Sequence, residues 1–144
     1  MQREKPVELL RWICVGPTAV IGEIAARYLG SIVGRFAIYG WGAESQSNFA
    51  FSIQLLAYAI AAATFVLAGA FTAPRNRSIT AVVLASVGTL LSLLTHVLSQ
   101  RHVGTVNYLH LAAETTGAAL TVAYVYYMEK FRVREEEPRV DTKS

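Results

Sequence analysis

The sequence predicts an all-α, polytopic membrane protein: four transmembrane helices in an up-down bundle with both termini in the cytoplasm. Three observations lead there. Apolar residues make up 53% of the chain and charged residues only 16%, against about 25% charged in soluble domains. Most charges gather at 1–11, 74–77 and 129–144, leaving runs of roughly the twenty residues needed to cross a hydrocarbon core. The basic residues are also strongly biased toward one end of the expected bundle. The 144 residues therefore divide into a cytoplasmic lead (1–11), a transmembrane domain (12–128) and a charged cytoplasmic tail (129–144). The expected spans are 12–34, 49–73, 79–99 and 108–128.

The lead carries Arg3, Lys5 and Arg11, and Trp12 follows where an interfacial aromatic belongs. The first span contains Pro17, which removes a backbone donor and favours a kink. A basic start and an apolar stretch also fit a signal peptide, but Glu23 and Arg27 bracket Ala25 and Ala26, so no small-residue cleavage site is expected. Gly30 and Gly34 form a small-xxx-small pattern, read as a close intramolecular contact. A connector at 35–47 with Phe36, Tyr39 and Trp41 is expected to lie in the interface.

Ser47 or Asn48 is expected to cap the second span, and Pro74 to end it at Ala73. A tight turn at 74–77 leads to Ser78, a natural cap for the third span. After a connector at 100–107, Asn107 can cap the fourth span. That span ends in Tyr124, Tyr126 and Tyr127, followed by Lys130, Arg132 and Arg134. The tail is expected to extend the helix for a turn or two and then fray beyond Pro138.

With both termini inside, Arg3, Lys5, Arg11, Arg75, Arg77, Lys130, Arg132, Arg134, Arg139 and Lys143 are cytoplasmic. Only Arg27, Arg35 and Arg101 remain for the other half. This bias predicts the orientation and a place in the cytoplasmic (inner) membrane.

Polar residues at membrane depth are costly and draw attention to function. At 1.5 Å per residue, Glu23 lies about 18 Å beyond Arg11, past the midplane. Gln54 lies roughly 8 Å in from the outer side, His96 about 8 Å inside Arg101, and Glu114 about 10 Å inside Asn107. His110 is one turn from Glu114 on the same face. Glu23, Arg27, Gln54, His96, His110 and Glu114 thus form a predicted cluster in the outer half, fed by all four helices. Gly88, Thr89 and Ser92 share the His96 face, and Gly117, Ala118 and Thr121 continue the Glu114 stripe.

Three functions compete for this cluster. In the first, Glu23 pairs with Arg27 at i,i+4, Glu114 hydrogen-bonds His96 or His110, and the polar groups fix helix register. The protein is then a membrane subunit or interaction module, a homo-oligomer or part of a larger membrane complex, and not an enzyme. In the second, Glu23 is the proton-binding carboxylate of a proton-coupled small-solute transporter or small channel, with Glu114 and the histidines as relay. In the third, His96 and His110, with Glu114 or His102, hold haem or a transition metal; no cofactor is favoured. The segment Ala19-Val20-Ile21-Gly22-Glu23-Ile24 resembles the first-helix glutamate segment of small multidrug-resistance transporters. The likeness ends there, with a longer lead before the glutamate and Arg27 beside it.

The net charge of +3 is explained by residues flanking apolar spans, and no basic face with interleaved aromatics suggests nucleic acid. Cys14 is the single cysteine, which excludes an intrachain disulfide and CxxC redox chemistry. Nucleophile elbow, phosphate loop and metalloprotease helix are all missing from the sequence.

Overall fold

The computed structural model of the chain describes residues 4–40, 46–103 and 108–136. They form four helices: α1 (Glu4–Gly40), α2 (Gln46–Thr72), α3 (Arg77–Val103) and α4 (Tyr108–Glu136). Three contain stretches long and apolar enough to cross a membrane: Val7–Phe36, Phe51–Thr72 and Arg77–Leu98. This is compatible with a small membrane protein. The fourth helix does not reach that level, because His110, Glu114, Thr115 and Thr116 interrupt its apolar run.

Most helices outrun the spans expected of them. Backbone hydrogen bonding sets a helix's length, whereas hydrophobicity delimits only the part that suits hydrocarbon. Helix α1 starts within the lead, continues through Pro17 and extends past residue 34. Ser47 and Asn48 consequently sit inside the first turn of α2 and do not cap it, and His102 sits in the last turn of α3 and not in a loop. Helix α2 ends at Thr72, one residue before the expected stop at Ala73. Trp41, Asn107 and the tail beyond residue 136 lie outside the described residues.

The turn between α2 and α3 also corrects an expectation. Asn76, at φ 53°, takes the left-handed conformation that asparagine tolerates best among residues with a side chain. Its carbonyl accepts the Thr80 N–H at 3.0 Å, so Asn76 and not Ser78 holds the cap position. Ser78 is freed for another use: its N–H and hydroxyl both donate to the Glu129 carboxylate of α4. Nearby, Arg75 pairs with Glu8 of α1 at 3.0 Å. The start of α1, the 73–76 turn and the end of α4 therefore share one end of the bundle, and successive helices run in opposite directions.

Helix α2 is the central element. It packs against all three others, α3 also packs on α4, and α1 rests mainly on α2. Contacts are made by small residues, as is usual where helices associate without a large hydrophobic driving force. Buried positions are dominated by alanine, and Val66 is the largest side chain that is fully buried. Gly30 faces Ala57, where an added Cβ would come within 2.8 Å of the alanine methyl, and Gly34 faces Ile53. The 30–34 pattern thus seats α1 on α2 within one chain. Gly117 is tighter still, its Cα lying against the backbone of Ala59.

Hydroxyl groups on the spans are mostly satisfied by their own helix. Thr64, Thr72, Ser86, Thr95, Thr116 and Thr121 each donate to the carbonyl four residues earlier. Such bonds leave little polar surface to hydrate. Large apolar side chains meanwhile cover the outside, among them Ile21, Ile24 and Leu29 on α1 and Val83, Leu90 and Leu94 on α3.

Candidate functional site

The polar residues of the four helices converge where α1 lies across α2, opposite α3 and α4. Arg27 is central. Its Nε donates to Glu23 Oε1 at 2.9 Å, one turn earlier on the same helix. Its Nη2 donates to Glu114 Oε1 of α4 at 3.0 Å. The guanidinium also lies over the Tyr58 ring of α2, 5.3 Å from its centroid, within cation–π range. From α3, the Ser92 hydroxyl donates to Glu114 Oε2. Each carboxylate oxygen of Glu114 thus has a donor from a different helix.

This arrangement answers the main physical problem of the site. The Glu114 side chain is only 7% exposed, and an ionised carboxylate in such a setting needs a partner. Arg27 supplies the opposite charge and Ser92 a hydrogen bond. Among the described residues, no buried side-chain nitrogen or oxygen lacks a hydrogen-bond partner.

The histidines lie on either side. His96 Nδ1 donates to the Ser92 carbonyl at 2.9 Å. His110 stacks on Tyr58, with centroids 4.4 Å apart and planes at 28°, and has Phe51 5.9 Å away. Glu114 takes its strong donors from Arg27 and Ser92, where hydrogen bonds to His96 or His110 were expected. Gln54 does not join the ion-pair group; it is exposed and lines a neighbouring groove.

Glu23, Arg27, Ser92, His96 and Glu114 line a cavity of about 340 Å³ to which all four helices contribute. A second cavity, of about 640 Å³, opens between α1 and α2 further from the shared end. Arg27 and Tyr58 line both, so their cation–π contact stands at the junction.

The donor set suits a metal poorly. Among the described residues, no group of three or more histidine, cysteine, aspartate or glutamate side chains is placed to hold an ion. Tyr58 was the contributor that the sequence did not point to, whereas Ser92 already shared the His96 face. A usable signal existed for Ser92: Ser78 and Ser92, fourteen residues apart on α3, fall on one face, as do Glu114 and Glu129 on α4. Compared with known proteins, the chain matches no family model, no curated protein sequence and no solved structure.

Proposed function

We propose that the chain is a small integral membrane protein of the cytoplasmic membrane, serving as a membrane subunit or interaction module in a homo-oligomer or larger complex. In this reading α4 crosses the bilayer with the other three helices, and both termini are cytoplasmic. The observation that carries it is Arg27 set between Glu23 and Glu114. Arg27 gives the buried Glu114 its counter-charge, and the resulting bridge from α1 to α4 holds the register of helices whose core is otherwise mostly alanine. A bridge of that kind also gives α4, the least apolar helix, a place inside the bundle for its glutamate.

Orientation is tested by cysteine labelling in a Cys14→Ala background. Of Asn76→Cys, Gly104→Cys and Val140→Cys, only the second should react with an impermeant maleimide in intact cells. Reaction at the first or third would overturn the orientation. Assembly is tested by the detergent-corrected mass of the purified protein. A multiple of 15.7 kDa or a larger complex supports the reading, and a lone chain contradicts it.

One observation favours a second reading, a proton-coupled small-solute transporter or small channel using Glu23. The formal charges of Glu23, Arg27 and Glu114 leave one negative charge in excess, and all three line one cavity of about 340 Å³. A bound proton or cation would balance that charge. Proton release from purified protein on adding a ligand, abolished by Glu23→Gln, would replace the first reading with this one.

A further inference from the structure

The larger cavity is a groove with an arginine at each end of its α1 wall and an apolar body between them. Its α1 wall runs from Arg27 through Gly30 and Gly34 to Arg35, and its α2 wall carries Phe51, Ile53, Ala57 and Tyr58. Arg35 lies about 12 Å further along α1 than Arg27, toward the end away from the 73–76 turn. The two arginines are not equivalent. Arg27 is held by Glu23 and Glu114, whereas Arg35 is exposed and has no partner among the described residues. Gln54, opposite it in the groove, is exposed and likewise free of hydrogen bonds among the described residues.

We propose that this groove binds an anionic phospholipid, with the phosphodiester on Arg35 and an acyl chain along Gly34, Ile53, Ala57 and Phe51. Guanidinium is the side chain best matched to phosphate, through paired N–H donors. Gly34, Ile53 and Ala57 line an apolar stretch between Arg35 and the already paired Arg27. The chain offers few anions of its own at this end: between Glu23 and Glu114 the sequence contains only Glu44. Helix α4 ends in Glu135 and Glu136 at the opposite end, so a second copy's tail is a poor occupant.

The inference rests on the membrane reading above. The test is native mass spectrometry of the full chain, released from mild detergent after exposure to equimolar dioleoyl phosphatidylglycerol and dioleoyl phosphatidylcholine. Phosphatidylglycerol adducts should predominate. Arg35→Gln should lower their share about five-fold, the effect of one arginine near an anionic lipid; Arg35→Lys, which keeps the charge but loses the paired donors, should give a smaller drop, and the opposite-end control Arg75→Gln should leave it unchanged. Equal retention of both lipids, retention of neither, or an equal loss in Arg75→Gln would overturn the site. A chain that stays dispersed without detergent would overturn the membrane reading itself.

Discussion

Ser78–Glu129 and Ser92–Glu114 join the same two helices with the same residue types, yet their surroundings differ. The first lies at the end shared with Glu8 and Arg75. There the hydrogen bond from the Ser78 hydroxyl holds the Glu129 carboxyl below the usual carboxylate range, the Ser78 N–H and Arg77 adding to the effect. Glu129 serves as a cap for α3 supplied from another helix, where a negative charge suits the N-terminal dipole. The second pair lies about 21 Å further along α3, with Glu114 buried and Arg27 as its counter-charge. The lesson is that identical hydrogen bonds carry different stakes according to what else must be neutralised beside them. Near the rim, solvent can substitute for a lost partner; in the cavity it cannot.

The largest expected effect follows directly. Arg27→Gln leaves Glu114 and Glu23 facing each other without a cation and should destabilise by about 3–5 kcal/mol, read from denaturant unfolding in detergent. Next comes the packing that fixes how deep Glu114 sits. Gly117→Ala would push a methyl into the Ala59 backbone and should cost about 1–3 kcal/mol. Gly16→Ala, which meets nothing within 4 Å, should be neutral or stabilising by up to about 1 kcal/mol. Equal losses from the two glycines would mean that the α2–α4 contact does not set the site.

At the rim, Glu129→Gln should cost about 1 kcal/mol, the usual value of a helix cap. Its pH dependence has a defined sign. A carboxyl whose folded pKa is lowered contributes stability above its unfolded pKa and loses it as pH falls through the folded value. Melting temperatures followed from about pH 7 to about pH 3 should therefore fall less steeply in Glu129→Gln than in the parent. The smallest effect belongs to Arg75→Gln. Its pair with Glu8 is 75% and 41% exposed, and exposed pairs are worth about 0–1 kcal/mol.

Much of this was legible in the sequence, and the reasons are specific. Of the four spans expected from hydropathy, three are membrane-compatible helices, because there the apolar runs are long and their interruptions few. Charge spacing placed Glu23 and Arg27 one turn apart, and depth counting brought Glu114 and His96 to their level. A close intramolecular contact at Gly30 and Gly34 followed from side-chain size alone, though not that α2 would make it. The partner of Glu114 was not legible, because whether α1 turns Arg27 toward α4 depends on how α1 lies on α2. Cap positions at 76 and around 46–48 were misplaced for a related reason. Polar first turns extend a helix without any hydrophobic signal to mark them.

The most direct test of the clamp is a double-mutant cycle on Arg27 and Glu114, measured by reversible unfolding in detergent. Glu114→Gln alone should be mild, since Glu23 and Arg27 remain a balanced pair and the amide oxygen can still accept from Ser92. In that background Arg27→Gln should cost less than half of the roughly 3–5 kcal/mol expected in the parent. The same cost in both backgrounds would contradict the account, because Arg27 would then not be there to neutralise Glu114.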